Sequence, residues 1–100
     1  TDSESQATFD YDKINGELRL RNRRPGDRFQ PLGMSGTKKL KDFFMDEKIP
    51  RASRDMIPIL TDSDRILWVV GYRMDDRFKV TANTKKQFIV IAAPESDPCQ

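Results

Sequence analysis

The chain has 100 residues, of which 36% are hydrophobic and 34% are charged, and its formal net charge is +2. These values are typical of one soluble domain with a modest core, and no apolar run suits a membrane span or a signal peptide, so a cytoplasmic location is expected. The chain has no histidine and a single cysteine, Cys99, which excludes an internal disulfide and a thiolate metal cluster and removes the commonest general base.

The N-terminal part of the sequence predicts a β-hairpin that carries arginines on one face. Residues 1–7 are expected to be a disordered lead-in, and alternation on both sides of Asn15-Gly16 predicts strands over 8–14 and 17–23. A period of two would place Leu18 and Leu20 on one face of the second strand, and the opposite face would then hold Arg19, Arg21 and Arg23. The hairpin would therefore present a stripe of arginines.

A turn and a helix follow this hairpin. In Arg24-Pro25-Gly26-Asp27 the proline fixes φ and the glycine accepts a positive φ, which predicts a type II turn, and Asp27 is expected to form an ion pair with Arg28. A loop containing Gly33 and Gly36 then leads to an amphipathic helix over 37–49. Its predicted N-cap is Thr37, and its buried face is expected to hold Leu40, Phe43 and Phe44.

The remaining segments predict one short helix and several strands. Pro50 ends the main helix, and one further helical turn fits before Pro58. Strands are expected over 57–60 and 65–73, paired as a hairpin, and over 77–80 and 87–93, with a disordered tail over 94–100. The fold class is thus α+β: a mostly antiparallel sheet of about five or six strands, one main helix and one short helix, in a single domain over 8–93.

Residues 17–54 form a basic block, with eleven lysines and arginines against five acids. The planar guanidinium groups of the arginine stripe suit phosphate oxygens, although the stripe could also be the solvated face of an edge strand. Lys38 and Lys39 are expected in the first helical turn, where the helix dipole disfavours cations, so they indicate a bound anion unless they are simply solvated. Asp75 and Asp76 are expected to form ion pairs with Arg73 or Arg77 rather than to act as paired catalytic carboxylates.

Four motifs occur in a characteristic order between about residues 16 and 92: RRPGDRF, KKLKDFF, IPR and WVVG. In this order they resemble the C-terminal domain of bacterial tRNA(Ile)-lysidine synthetase, whose fold resembles a module of the phenylalanyl-tRNA synthetase β chain. The resemblance implies a parent enzyme that uses ATP, with magnesium, in an N-terminal catalytic domain. That enzyme adenylates the wobble cytidine of the minor isoleucine tRNA with a CAU anticodon and then ligates lysine to C2.

The resemblance also implies the part played by this chain. The family's ATP loop, SGGxDS, is absent from the sequence, so we expect a non-catalytic domain that binds tRNA near the acceptor stem beside the N-terminal domain, with no cofactor, metal or membrane of its own. An A-form stem is recognised chiefly through its backbone and shallow groove, which basic side chains suit. The residues expected to contact RNA are Arg19, Arg21, Arg23, Arg24, Arg28, Lys38, Lys39, Lys41, Arg51 and Arg54, with Pro25, Gly26, Gly33 and Gly36 shaping the loop.

Two other hypotheses stay open at this point. The basic block could dock against another domain of the parent or a second subunit, with no direct role in RNA binding. An autonomous small enzyme is disfavoured, because the chain has no histidine and no nucleophile at the right spacing from a base.

Overall fold

Residues 6–92 are described by the computed structural model, and they form an α+β fold of short antiparallel strands and two α-helices. The strands are β1 Gln6–Asp10, β2 Arg19–Arg21, β3 Arg28–Phe29, β4 Lys38–Lys39, β5 Ile59–Thr61, β6 Ile66–Val69, β7 Arg73–Met74 and β8 Gln87–Ile91. The helices are α1 Leu40–Asp46 and α2 Arg51–Arg54. Between residues 6 and 92 no helix is long and apolar enough to cross a membrane.

The strands form three small sheets rather than one sheet of five or six strands. The central sheet has the order β2-β5-β6-β7, and two-stranded sheets pair β1 with β8 and β3 with β4. All of these pairings are antiparallel, which confirms the predicted fold class. The hairpin of β5 and β6 is also confirmed, as are the short helix α2 and the strand β8.

The predicted hairpin around Asn15-Gly16 is wrong, because β1 pairs with β8 and β2 pairs with β5. The Asn15-Gly16 turn instead docks on the turn that joins β5 to β6. The backbone amide of Asn15 donates to Asp62 Oδ2 at 2.9 Å, and the backbone amide of Ser63 donates to the backbone carbonyl of Asn15 at 2.8 Å. Gly16 has a φ of +79°, and a Cβ placed there would lie 1.9 Å from Ser63 Oγ. The glycine therefore permits a tertiary contact, not a two-residue hairpin.

The predicted limits of the domain also need correction at their N-terminal end. β1 begins at Gln6, and Ala7 is buried within it, so these two residues belong to the fold rather than to a disordered lead-in. The rest of that lead-in, the tail over 94–100 and Cys99 lie outside the described residues.

The hydrophobic core consists of two clusters on opposite sides of the central sheet strands. The first contains Phe29, Leu40, Phe43 and Phe44, so the predicted buried face of the main helix is confirmed. Phe29 and Phe43 meet edge to face with their ring centroids 5.1 Å apart, a favoured geometry for aromatic pairs. The second cluster surrounds Trp68 and includes Phe9, Leu60, Leu67 and Phe78.

The main helix is shorter than its apolar spacing predicted. It begins at Leu40, and Lys39 occupies the N-cap position without a side-chain cap, so Thr37 is not the N-cap. Lys38 and Lys39 form β4 instead. These two lysines pair with β3 and therefore do not extend the helix. The local sequence pattern could not reveal this pairing.

The predicted strand over 77–80 is also wrong. Asp76–Phe78 forms a 3₁₀ turn, with Asp75 as its N-cap and the Asp75 side chain accepting from the Arg77 amide. Within 77–80 only Lys79 pairs with another segment, through an isolated bridge to Phe9. The side chain of Phe78, which belongs to this turn, is fully buried. A single core aromatic between polar residues gives the same alternating pattern as a strand, which explains the wrong prediction.

Candidate nucleic-acid interface

The candidate site is built around the turn Arg24-Pro25-Gly26-Asp27. The Asp27 amide donates to the Arg24 carbonyl at 3.1 Å, and Gly26 has a φ of +84°, as expected for the third position of a type II turn. The Asp27 carboxylate accepts from the Arg24 amide at 2.7 Å. The Leu40 amide donates to the Asp27 carbonyl at 2.9 Å, so the turn is also fixed to the start of α1.

Asp27 forms its ion pair with Arg21, not with Arg28 as predicted. Two guanidinium nitrogens of Arg21 donate to the two carboxylate oxygens of Asp27 at 2.9 and 3.0 Å. Desolvation opposes the charge on Asp27, but the hydrogen bonds from Arg21 and from the Arg24 amide outweigh it and hold the pKa of Asp27 below its ordinary value. Such a bidentate, largely buried pair stabilises the fold. It also neutralises the charge of Arg21 within the protein.

Arg28 is left facing another cation. In the antiparallel register Arg28 lies directly opposite Lys39, and both residues are exposed. Arg28 donates to the Thr37 hydroxyl at 3.3 Å, and neither cation has a carboxylate partner among residues 6–92. Like charges directly opposite each other destabilise a strand pair. A bound anion would relieve this repulsion.

Two open grooves flank the turn and share Arg24, Gly26 and Asp27 as their common wall. The larger groove has a volume of about 770 Å³, and the smaller has about 430 Å³. The grooves bring together seven of the ten cations predicted to contact RNA. The larger groove is lined by Arg19, Arg21, Arg24 and Arg28, and the smaller by Arg23, Arg24, Lys39 and Lys41. Sequence reasoning missed Arg65, which also lines the larger groove, because it lies far from the basic block in sequence.

The larger groove is not purely basic. Glu17, Asp62 and Asp64 line it together with its arginines. Asp62 accepts from the amides of Asn15, Asp64 and Arg65. Desolvation opposes the charge of Asp62, but these hydrogen bonds outweigh it, so the pKa of Asp62 is lowered. The smaller groove is lined by four cations and two acids, Asp27 and Asp55, and is therefore the more positive of the two.

Several of the predicted cations have partners within the fold. Arg23 donates to Asp55 at 2.8 Å, and Lys38 forms an ion pair with Asp46. Lys38 lies in a strand and pairs with Asp46, so its predicted place in the first turn of a helix is wrong. Its contact with RNA stays a prediction. Arg19 has only an exposed contact with Glu17 at 3.6 Å, which contributes little to stability.

The last two predicted cations lie on α2. Arg54 donates to the Ile49 carbonyl at 3.0 Å, and Arg51 is exposed. Asp55, which directly follows α2, holds Arg23 through its carboxylate and accepts from the Asn22 side chain through its carbonyl. These contacts join the end of α2 to the segment between β2 and the turn. Neither Arg51 nor Arg54 lines the two grooves.

Asp75 and Asp76 fix the connection between β3 and β4. Asp75 is fully buried, and its carboxylate accepts from the Arg77 guanidinium and from the backbone amide of Gln30, at 2.8 Å in both cases. The predicted pairing with Arg77 is therefore confirmed. Asp76 accepts from the Gly33 amide at 3.0 Å. That hydrogen bond and one from Lys79 lower the pKa of Asp76. These residues anchor the start of the loop beside the cations, a role that the sequence did not reveal.

The residues described do not provide the donor sets that metal ions require. No group of three or more His, Cys, Asp or Glu side chains between residues 6 and 92 could hold a metal ion. The arrangement around the turn suits an extended anion, because its cations line two open grooves instead of converging on one point.

Comparison with known proteins agrees with the motifs of the sequence. The family described as "TilS substrate C-terminal domain" matches residues 18–90. The chain is 60% identical over 82 residues to a tRNA(Ile)-lysidine synthase of Caldanaerobacter subterraneus subsp. tengcongensis, covering 82% of this chain and 18% of that protein. It is 53% identical over 77 residues to the enzyme of the same name from Clostridium tetani, covering 77% of this chain and 16% of that protein. The chain thus spans less than a fifth of the length of these relatives.

Two solved structures share the fold. A crystal structure of a TilS C-terminal domain has a TM-score of 0.72 and 40% sequence identity, covering 86% of this chain and 66% of that one. An N-terminal fragment of the phenylalanyl-tRNA synthetase β-subunit from Pyrococcus horikoshii has a TM-score of 0.71 and 23% identity, covering 84% of this chain and 26% of that one. The second likeness concerns the fold alone, and it confirms the resemblance predicted for the module.

Proposed function

The chain belongs to the family of tRNA(Ile)-lysidine synthase C-terminal domains, and from this membership we propose that it is the non-catalytic tRNA-recognition domain of such an enzyme. The proposed parent is a cytoplasmic ATP-dependent ligase that attaches lysine to C2 of the wobble cytidine in the CAU-anticodon isoleucine tRNA. ATP, magnesium and lysine would be handled by its N-terminal domain, next to which this domain would hold the tRNA.

The observation that carries this proposal is the juxtaposition of Arg28 and Lys39 across β3 and β4. An acid opposite either residue would stabilise the strand pair, whereas two cations opposite each other destabilise it. Arg24 and Lys41 line the adjoining grooves, and neither has a carboxylate partner among residues 6–92. These four cations flank the turn as a series of positive charges, which suits the successive phosphates of an RNA backbone.

The same geometry favours a duplex region of the tRNA, and we propose the acceptor stem. The base edges in the deep major groove of A-form RNA are out of reach of side chains, so a stem is bound through phosphates, 2′-hydroxyls and its shallow groove. Open grooves lined by arginine and lysine supply such contacts. In this proposal the domain positions the tRNA, and the chemistry takes place elsewhere in the parent.

One observation favours a second candidate function, docking against another part of the parent. Ile89 and Ile91 lie on β8 with 52% and 66% of their surface exposed. Exposed aliphatic side chains next to each other on one face of a strand are typical of a protein contact. Docking through β8 is compatible with RNA binding, whereas docking through the cations would replace it.

The experiment that separates the two candidates is a binding titration of the 100-residue chain with the isoleucine tRNA and with a version whose acceptor stem has been removed. The proposal predicts that the intact tRNA binds and that removing the stem weakens binding at least tenfold. If the chain binds neither RNA while its circular dichroism shows a folded domain, the docking function is favoured instead.

A further inference from the structure

A small cleft lies away from the cation grooves, where the β6–β7 turn meets the β3–β4 connection. It has a volume of about 180 Å³, and its lining includes Ala7, Leu32, Trp68, Tyr72, Arg73 and Met74. This volume is below the roughly 300–1,000 Å³ of sites for drug-sized ligands, so the cleft admits one ring-sized group.

Backbone hydrogen bonds hold the walls of this cleft in place. The Tyr72 amide donates to the Val69 carbonyl at 2.9 Å, closing a tight turn in which Gly71 has a φ of +86°. The Leu32 amide donates to the Met74 carbonyl at 3.0 Å, which holds the β3–β4 connection against β7. The cleft is therefore preformed and needs no rearrangement of backbone to receive a ligand.

The lining combines aromatic, apolar and cationic groups. Tyr72 has 43% of its surface exposed at the rim, and Trp68 is 2% exposed at the base. Arg73 is exposed beside Tyr72 and has no carboxylate partner among residues 6–92. Aromatic rings and free guanidinium groups are the side chains on which unpaired bases of RNA stack.

We propose that this cleft binds one unpaired nucleobase of the RNA that the cation surface holds. The proposal rests on the proposed function and adds a base contact to the backbone contacts. The base would stack on the Tyr72 ring, with Leu32 covering its other side and Arg73 placed to pair with a neighbouring phosphate.

The β3–β4 connection places the cleft within reach of the same RNA. Leu32 follows Arg28 by four residues, so their Cα atoms lie at most about 14 Å apart. Asp75 anchors the intervening segment through the backbone amide of Gln30. An RNA strand that leaves the Arg28 and Lys39 pair can therefore reach the cleft within a few nucleotides.

The chain contains an internal probe for this site, because Trp68 is its single tryptophan and lines the cleft. The test uses two RNAs with the same duplex and a single-stranded extension of four nucleotides, one extension carrying adenines and the other abasic. Both RNAs have the same phosphates, so they differ only in the bases of the extension. We expect the adenine extension to bind about 5-fold to 150-fold more tightly and to change the Trp68 fluorescence, and the abasic extension to do neither.

Variants at the two tyrosines provide the matched controls. Tyr72→Ala should remove the difference between the two RNAs, and Tyr72→Phe should retain it because the ring remains. Tyr11→Ala should also retain it, since Tyr11 is similarly exposed but packs on Phe88 outside the cleft.

The outcomes distinguish this proposal from the proposed function. Equal affinity for both RNAs in the unmodified chain overturns the nucleobase site and leaves tRNA binding intact. Failure of the folded chain to bind either RNA overturns both. A difference that survives Tyr72→Ala in folded protein also overturns the site, because the base would then be bound elsewhere.

Discussion

Arg28 and Lys39 lie directly opposite each other across β3 and β4, both exposed, and neither has a carboxylate partner among residues 6–92. A few residues away Arg21 is neutralised by a bidentate contact with Asp27. The two arrangements separate the basic residues into those that hold the fold and those that remain available to a ligand.

Replacing both Arg28 and Lys39 by glutamine should weaken tRNA binding at least tenfold at low salt. The free energy of unfolding should stay unchanged or rise by less than ~1 kcal/mol, because the repulsion across the strands is removed. Binding titrations and urea denaturation measure the two effects. Lys85→Gln with Lys86→Gln removes the same charge outside the grooves and should change binding much less. A loss of more than ~1 kcal/mol of stability with unchanged binding would show that the pair is structural.

Arg21 and Arg24 should respond differently to the same substitution. Arg21→Gln breaks a largely buried, bidentate ion pair and should lower the free energy of unfolding by about 1–3 kcal/mol. Arg24→Gln removes an exposed guanidinium and should change stability by less than ~0.5 kcal/mol while weakening tRNA binding. Equal effects of the two variants on stability would contradict the separation.

Acid should destabilise the domain in part through Asp27. The folded-state pKa of Asp27 is lowered from its ordinary value of 3.8, so its stabilising contribution is complete above that value and is lost as the pH falls through the folded-state pKa. Asp27→Asn lacks this contribution. Its free energy of unfolding should therefore be below that of the unmodified chain at pH 7, and the difference should shrink as the pH is lowered through the acid range below 3.8. A difference that is constant over this range, measured by urea denaturation, would refute the prediction.

The adjacent carboxylates Asp75 and Asp76 should differ in their effect on stability. Asp75→Asn breaks a buried ion pair with Arg77 and should lower the free energy of unfolding by about 3–5 kcal/mol. Asp76→Asn weakens hydrogen bonds at a more exposed position, with an expected loss of about 1 kcal/mol. Thermal unfolding of the two variants measures the contrast, and a larger loss for Asp76→Asn would contradict the assigned roles.

Local patterns predicted the elements whose partners are close in sequence. The β5–β6 hairpin and the buried face of α1 follow from β-branched runs and from the spacing of Leu40, Phe43 and Phe44. The predicted pairing of β1 with β2 was wrong, because β1 pairs with β8, some eighty residues away in sequence. The docking of Asn15 on the turn at Asp62 is another contact between distant segments, and no local pattern reports it.

The same limit applied to the candidate site. The sequence identified the basic residues, and seven of the ten line the two grooves. It paired Asp27 with its sequence neighbour Arg28, which would have made Arg28 the least available arginine. In the structure the Asp27 side chain forms its ion pair with Arg21, which precedes the turn. Arg28 lies opposite Lys39 instead. Which arginine is neutralised depends on how the turn folds back, not on adjacency in sequence.

The central claim, that the cations around the Arg24-Pro25-Gly26-Asp27 turn bind RNA phosphates, is tested most directly by the salt dependence of tRNA binding to the 100-residue chain. Contacts from Arg24, Arg28, Lys39 and Lys41 to ~4 phosphates predict that the logarithm of the association constant falls with the logarithm of salt concentration at a slope of about −3 to −4. The variant lacking the charges of Arg28 and Lys39 should have a slope shallower by about 2. No binding at low salt by the folded chain, or binding with a slope near zero, would contradict the claim.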